Sequence, residues 1–184
     1  MEFNKNDAKI FILSGRARSG KDTVASNIKN YYKNNKVITL SYGYYIKDYA
    51  KRILQKEITE ENKPREFLQQ LGTNLIRYKI DETFFIKRMI EDIDIFSYFY
   101  DKIIISDARL KSEIDLIKEK FENTITIKID RPNFENELTK DQKNHQTETD
   151  LNNYSNYDYI LTNDGNLDEL KEKTESILGD VNES

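Results

Sequence analysis

The sequence predicts an α/β fold in which a parallel sheet of about five strands has helices on both faces. Short runs rich in Ile, Val and Thr alternate with longer segments whose apolar residues recur at helical spacing. A glycine-rich loop joins the first run to the first helical segment, as expected where one strand crosses over to the next through a helix. No internal repeat or low-complexity linker interrupts the 184 residues, so we expect one domain over residues 1–184.

The first half of the chain contains two predicted strands and four predicted helices. In order, they are a strand at Ile10–Leu13, a helix at about 22–32, a strand in KVITLSY, a helix at 45–56, a helix with Pro64 in its first turn, and a helix at 83–96. The apolar face of the Pro64 helix is formed by Phe67, Leu68, Leu71 and Leu75. Gly72 lies inside that pattern, where glycine either weakens the helix or lets another group approach its backbone closely.

The second half alternates three predicted strands with two helices. They are KIIIS, which ends at Asp107, a helix at 111–120, TITIKI, YDYILTN, and a last helix that starts near Leu167. The polar segment 131–149 connects two strands and is typical of a mobile lid that excludes water from a site. It contains His145, the only histidine of the chain, which has no second His or Cys for a metal site. A hydrogen-bonding surface residue is the alternative reading of His145.

Composition excludes several classes of protein. The net charge is −4 with Lys and Asp/Glu interspersed, which argues against a nucleic-acid partner. No apolar run approaches the length of a membrane span. The absence of Cys excludes disulfides, thiolate nucleophiles and cysteine zinc sites. We therefore expect a soluble, cytoplasmic protein.

The segment FILSGRARSGKDT carries a phosphate-binding motif. Gly15, Gly20 and Lys21 fit Gly-x-x-x-x-Gly-Lys between a predicted strand and a predicted helix, and we expect Lys21 to lie in an exposed loop. The backbone N–H groups of such a loop and the helix N-terminus bind phosphate, while the lysine reaches the outer phosphates of a nucleotide. Asp22 stands where a hydroxyl normally binds magnesium, and Thr23 follows one residue late, but a carboxylate is an acceptable magnesium ligand. A glycine-rich turn that only caps a helix is the alternative.

Polar residues at the ends of predicted strands extend the expected site. Ligands of open parallel sheets bind beyond the carboxyl ends of the strands, which gathers the loop with Ser41–Gly43, Asp107, Arg109 and Arg131. Asp107 could hold magnesium or its waters, and Arg109 could contact a transferring phosphoryl group. The chain has only eight arginines, and their planar, bidentate donors suit phosphate binding. The alternatives are a local Asp–Arg turn and, for each arginine singly, a surface ion pair.

Five segments, one of them the glycine-rich loop, follow one another in an informative order. They are SGRARSGKDT, REFLQQLGTNLIR, SDARLKSEIDLI, HQTETDL and YDYILTNDGNLDEL. In this order they resemble deoxynucleoside monophosphate kinases of the phage type, over almost the whole chain, and Lys-Asp-Thr after the second glycine is usual in that family. The resemblance implies a P-loop kinase fold, which is a three-layer sandwich with a mobile lid. It also implies transfer of the γ-phosphoryl group of ATP, with Mg²⁺, to a deoxynucleoside 5′-monophosphate.

The resemblance further implies roles for individual residues. ATP would be held by Gly15, Arg16, Arg18, Ser19, Gly20, Lys21, Asp22 and Thr23. The acceptor monophosphate would be bound by Arg65, Gly72, Thr73, Arg77, Phe85, Asp107, Arg109, Glu113, His145 and Glu148. Charge on the transferring group would be stabilised by Lys21, Arg109 and Arg131, and magnesium would be held by Asp22 and Asp107. The rings that could stack on the base are Phe67, Phe85 and Tyr42, with a core position the alternative for Phe67.

The chain departs from the phage pattern in two places. It is shorter between its second strand and PREFLQQ, which bears on base selectivity, and it has Thr147 where Ser is common. A P-loop kinase of the phosphomevalonate or dephospho-coenzyme A type, and a non-catalytic nucleotide-binding regulator, are the alternatives. A GTPase is not expected, because the only match to its guanine-reading motif, NKND at 4–7, precedes the first strand. A homodimer is compatible with the sequence.

Overall fold

The computed structural model describes residues 3–59, 61–132 and 145–183. Its sheet has five parallel strands in the order β2-β3-β1-β4-β5. The strands are β1 (Lys9–Ser14), β2 (Val37–Leu40), β3 (Lys102–Ala108), β4 (Thr124–Asp130) and β5 (Tyr159–Thr162). The predicted parallel sheet is confirmed, and the bounds of its strands differ from the predicted ones by a few residues.

The helices connect the strands in the predicted alternation. They are α1 (Lys21–Tyr31), α2 (Tyr42–Leu54), α3 (Arg65–Gln69), a π-helix (Gln70–Ile80), α4 (Phe84–Phe96), α5 (Lys111–Lys120), α6 (Gln146–Thr149), a 3-10 helix (Asp150–Asn153) and α7 (Leu167–Glu183). The α6 and 3-10 helices were not predicted. Most of the predicted lid, residues 133–144, lies outside the described residues. Among the described helices, none is both long enough and apolar enough to cross a membrane.

The central strand β1 packs against helices on both of its faces. Ile10 and Ile12 contact the layer formed by α2, the α3–π segment, α4 and α5, while Phe11 and Leu13 contact the layer formed by α1 and α7. All four side chains are almost completely buried. Because burying a side chain of this size contributes about 1.5–3 kcal/mol, the alternating pattern of β1 fixes one helical layer to each face.

The helix after Pro64 departs from its prediction. After α3 the chain continues as a π-helix, in which each backbone N–H bonds to the carbonyl five residues earlier. Leu75 was predicted on the apolar face but is 45% exposed, whereas Ile76 is only 5% exposed. The wider turn moves the buried position after Leu71 from i+4 to i+5, so the α-helical spacing gave the wrong residue. A Cβ on Gly72 would lie 3.1 Å from Cδ1 of Ile46, so glycine lets α2 approach this segment closely.

The connections after β1 and β3 leave the sheet on opposite faces. Helix α1 follows β1 on one face, and α5 follows β3 on the other. Because β1 and β3 are neighbours, their carboxyl ends border a crevice, which is where open parallel sheets bind ligands.

Candidate active site

A cleft of about 840 Å³ lies at the carboxyl ends of β1 and β3. Most of the site residues proposed from the sequence line it: Arg18, Ser19, Gly20, Lys21, Asp22, Thr23, Arg65, Thr73, Arg77, Asp107, Arg109, Glu113, Arg131, His145 and Glu148. Five of the proposed residues do not line it: Gly15, Arg16, Phe67, Gly72 and Phe85. The fold therefore brings the glycine-rich loop, the Pro64 segment and the end of β3 to one place.

The glycine-rich loop takes its shape from backbone angles that favour glycine. Gly15 has φ 146° and Gly20 has φ 106°, and Arg18 is also left-handed with φ 61°. A Cβ on Gly15 would lie 2.3 Å from the carbonyl oxygen of Ile129, so no larger residue fits there. Helix α1 begins directly after Gly20. The loop thereby presents the N-terminus of α1, with its positive dipole end, to the cleft.

The Lys21 side chain folds back onto the loop. Its ammonium donates hydrogen bonds of 2.8 Å to the carbonyl oxygens of Gly15 and Arg16. The residue is only 7% exposed, so the expectation that Lys21 is exposed was wrong. Burial is the main cause that lowers its pKa to about 8, and the nearby charge of Arg109 acts in the same direction. An anionic ligand beside Lys21 would oppose both effects.

Asp107 anchors the N-terminus of α2. Its Oδ1 accepts a hydrogen bond from the backbone N–H of Tyr42, and its Oδ2 accepts one from Gly43, each at 2.8 Å. A carboxylate is favourable at this end of a helix because of the orphan N–H groups and the dipole. The side chain that was selected as a magnesium ligand therefore joins β3 to α2.

A buried ion pair lines the cleft on the side of the Pro64 segment. Nη2 of Arg77 donates to Oε1 of Glu113 at 2.8 Å, and the two side chains are 6% and 2% exposed. Oε2 of Glu113 accepts hydrogen bonds from the backbone N–H groups of Arg109 (2.8 Å) and Leu110 (3.1 Å). Burial raises the pKa of Glu113, while the charge of Arg77 opposes that rise. Both carboxylate oxygens of Glu113 are thus engaged within the protein.

Glu148 connects the end of β3 to the glycine-rich loop. Its Oε1 accepts a hydrogen bond from Nη1 of Arg109, and its Oε2 lies 3.4 Å from the backbone N–H of Ala17. A carboxylate here contacts both an arginine and a loop N–H, the kinds of donor that bind a phosphate oxygen. A phosphate that reached Arg109 would compete with Glu148 for the same donors.

Two further arginines link the loop to the segments around it. Nη2 of Arg16 lies 3.4 Å from Oδ1 of Asn152, and Nη1 of Arg131 donates to the carbonyl oxygen of Arg18 at 3.2 Å. Arg16 therefore faces the 3-10 helix rather than the cleft. Arg131 lines the cleft, as proposed, and lies next to the loop.

His145 caps α6 and also lines the cleft. Its Nδ1 accepts a hydrogen bond from the backbone N–H of Thr147 at 3.3 Å. Burial lowers its pKa, and the charge of Arg77 adds to that effect. His145 thus makes the hydrogen bond that its alternative reading expects, and it also lies at the cleft where substrate binding was expected.

The rings that were proposed to stack on a base are mostly buried. Phe85 is 1% exposed, and the centroid of its ring lies 5.0 Å from the guanidinium carbon of Arg77. The ring therefore packs against the arginine of the buried ion pair. Tyr42 is 3% exposed and donates its hydroxyl to the carbonyl oxygen of Glu113. Phe67 packs against the core, as its alternative stated. No surface of Phe85 is available for stacking in this structure.

The residues present fit a magnesium ion that is held mainly by the phosphates of a bound nucleotide. Within 3–59, 61–132 and 145–183, no three His, Cys, Asp or Glu side chains group closely enough to hold a metal ion. Asp22 is exposed and lines the cleft, so its oxygens can meet magnesium or its waters. Asp107 fits less well because each of its oxygens already accepts an N–H. Magnesium commonly takes one or two carboxylates and completes its shell with phosphates and water.

Sequence reasoning missed Asn163, which follows β5. Its Nδ2 donates a hydrogen bond of 2.8 Å to the carbonyl oxygen of Ser19 in the loop. The rule that selected Asp107, a polar residue at the carboxyl end of a strand, applies equally to Asn163.

The sheet order and the loop at the end of β1 define a P-loop kinase fold, and solved structures share it. An APS kinase of Mycobacterium tuberculosis in complex with AMPPNP and APS has a TM-score of 0.58 at 14% identity, over 97% of this chain and 99% of that one. A sugar kinase of a Janibacter species has a TM-score of 0.57 at 14% identity, over 94% of this chain and 95% of that one. At this identity the likeness concerns the fold alone.

The chain belongs to the deoxynucleotide monophosphate kinase family, whose model matches residues 39–174. The deoxynucleotide monophosphate kinase of Enterobacteria phage T4 is 32% identical over 115 residues, which are 62% of this chain and 44% of the relative. A protein of Acanthamoeba polyphaga mimivirus, provisionally given the same name, is 30% identical over 117 residues, which are 58% of this chain and 56% of the relative. The chain thus matches about half the length of these curated relatives. Because the family match begins after the glycine-rich loop, the loop is a separate indication.

Proposed function

We propose that the protein transfers the γ-phosphoryl group of ATP, with Mg²⁺, to a deoxynucleoside 5′-monophosphate, giving ADP and a deoxynucleoside diphosphate. The observation that carries this proposal is the set of residues that line the cleft. The cleft is lined both by the glycine-rich loop with Lys21 and by Arg65, Thr73 and Arg77, from the segment that the family match includes. Arg109 is linked to both sets of residues, to Arg77 through Glu113 and to Ala17 of the loop through Glu148.

The donor side binds and orients the phosphates of ATP. The N-terminus of α1 supplies backbone N–H groups and a positive dipole end, and Lys21 supplies a charge close to the outer phosphates. Phosphate oxygens would take over the Lys21 ammonium from the carbonyls of Gly15 and Arg16. An adjacent anion stabilises the protonated amine, so the bound nucleotide would keep Lys21 charged.

In the transfer, an oxygen of the acceptor phosphate bonds to the γ-phosphorus, and the bond from that phosphorus to the β–γ bridging oxygen breaks. The acceptor phosphate is already an anion, so the step requires no strong general base. The protein contributes alignment and neutralisation of charge, for which Lys21, Arg109 and Arg131 are the cleft cations we assign.

Magnesium, when bound, would neutralise charge on the phosphate oxygens of ATP. Asp22 is the residue we assign to it, directly or through water, with Thr23 beside it at the start of α1. Asp107 would act mainly by fixing α2, which carries Ile46 and Lys47 of the cleft lining.

The experiment that tests the proposal is ADP release from ATP and Mg²⁺, with each deoxynucleoside and ribonucleoside monophosphate supplied separately. Phosphomevalonate and dephospho-coenzyme A serve as rival acceptors. We expect strong stimulation by one or more deoxynucleotides, and a much weaker stimulation in a Lys21→Ala variant.

The other outcomes lead to the alternatives. Stimulation only by phosphomevalonate or dephospho-coenzyme A would replace the acceptor class. Tight ATP binding without stimulation by any acceptor would favour a non-catalytic regulator. The cytoplasmic location, the single domain over 1–184 and the homodimer remain predictions from the sequence.

A further inference from the structure

We propose that Asn163 is a positioning residue that orients the phosphate-binding loop through the peptide between Ser19 and Gly20. Its Nδ2 donates a hydrogen bond of 2.8 Å to the Ser19 carbonyl oxygen, across 144 positions of sequence. In a planar trans peptide the C=O and the following N–H point in opposite directions. Fixing the Ser19 carbonyl toward Asn163 therefore fixes the Gly20 N–H on the opposite side. The inference rests on the proposed function, because it assumes that this loop binds ATP.

The opposite side of that peptide is the cleft. Ser19 and Gly20 both line the cleft, whereas Asn163 does not. Gly20 also begins α1 without a side-chain cap, so its N–H belongs to the helix end that binds phosphate. Asn163 thus holds the outer face of the loop while the inner face remains available to an anion.

Asn163 is itself held in place by the sheet. Its backbone N–H donates to the carbonyl oxygen of Asp130, at the end of β4, at 2.7 Å. The side chain extends from the end of β5, past the end of β4, to the loop that follows β1. The position of the loop is therefore tied to two strands beyond the strand that carries it.

Gly20 and Asn163 depend on each other. A Cβ on Gly20 would lie 2.6 Å from Nδ2 of Asn163, closer than real side chains pack. Gly20 is thus required by its φ of 106° and by the amide that approaches it. The motif glycine makes room for the residue that orients its own peptide.

Only an N–H donor satisfies this position. Asn163→Asp keeps the shape but places a carboxylate oxygen against the Ser19 carbonyl, and it adds a negative charge beside the phosphates. Asn163→Ala removes the donor without adding charge. The two variants separate the loss of the hydrogen bond from the added repulsion.

The test measures the Kd of ATP by calorimetry and the KM values of ATP and of the acceptor. We expect Asn163→Ala to raise the Kd and KM for ATP about tenfold and Asn163→Asp to raise them further, with the KM for the acceptor unchanged. Asn35→Asp is the matched control, because it makes the same change of charge at an exposed turn before β2 and should leave both constants unchanged.

The outcomes separate this inference from the proposed function. If the wild-type protein binds ATP and both Asn163 variants bind it with the same Kd as the wild type, the positioning role is wrong. This holds whatever the acceptor proves to be. An equal rise in both KM values would also overturn it, since a general loss of structure does not select the donor side. If the wild-type protein binds no ATP, the proposed function fails before the variants are compared.

Discussion

The two sides of the cleft are built in different ways. The proposed donor side is one continuous segment in which the Lys21 ammonium bonds to the carbonyls of Gly15 and Arg16, while Glu148 and Asn163 contact its backbone from distant parts of the chain. The acceptor side joins side chains from distant segments, as the Arg77–Glu113 pair does across 36 positions of sequence. A local motif therefore specifies the segment and the lysine of the donor side, whereas the residues of the acceptor side come together only after the chain has folded.

The two sides also differ in the partner of their buried cation. The Lys21 ammonium rests on neutral carbonyls, so its charge remains available to attract an anion. The charge of Arg77 is balanced by Glu113, which is held in turn by two backbone N–H groups. This difference leads us to expect that Lys21 matters mainly for turnover and Arg77 mainly for stability.

The largest effect is expected when the buried pair is broken. Arg77→Met leaves Glu113 buried and unpaired, which should lower the free energy of unfolding by about 3–5 kcal/mol. Urea denaturation of the two proteins measures this difference. The control is Arg52→Met, which breaks an exposed pair with Asp48 and should cost about 1 kcal/mol or less. Equal costs for the two variants would contradict an architectural role for Arg77.

Turnover should depend most on Lys21, in the glycine-rich loop. Lys21→Ala removes a charge that we assign to the transferring group, so kcat should fall by about 10²–10³-fold. The free energy of unfolding should fall by less than it does in Arg77→Met, because the ammonium is buried at a desolvation cost. Lys29→Ala, in the last turn of the same helix, is the control. A large loss of stability with normal turnover would reverse the contrast between the two sides.

A smaller effect is expected from titration of Lys21. Its pKa in the folded protein, about 8, lies below the ordinary value of 10.5, so the charged form is disfavoured by folding. Its contribution to stability should therefore rise as the pH increases through about 8 toward the ordinary value. The charge is lost in the same interval, so kcat/KM for ATP should fall about tenfold per pH unit above about 8. Lys21→Arg should not show this fall in kcat/KM above about pH 8, since arginine stays protonated. If the fall persists in that variant, the titrating group is not Lys21.

The smallest effect concerns a glycine far from the cleft. In α7 a Cβ on Gly179 would meet nothing within 4 Å, so Gly179→Ala should raise the free energy of unfolding by about 0.5–1 kcal/mol. Thermal unfolding measures the gain. Gly15→Ala sharpens the comparison, because its Cβ would collide with the Ile129 carbonyl and should weaken ATP binding. If both variants gained stability, the loop would not need a glycine as its first residue.

Local patterns were sufficient for most of the fold. The buried runs of β1 and β3, the helix at Lys111–Lys120 and the glycine-rich loop were all read correctly, because each depends on neighbours within a few residues. The π-helix was not, since α-helical spacing placed Leu75 inside where the structure buries Ile76. In this segment α2 packs closely against Gly72, and the buried residues follow the spacing of a π-helix instead of the α-helical spacing that the sequence suggests.

The sequence by itself determined that a glycine-rich loop follows a buried strand and that Asp107 and Arg109 stand at the end of another. Only the tertiary structure decided that Lys21 is buried, that Asp107 caps α2, that Glu113 is paired with Arg77, and that Asn163 reaches the loop. The reason is physical. Backbone angles and apolar periodicity act between near neighbours, whereas desolvation and hydrogen bonding depend on which distant groups the folded chain brings together.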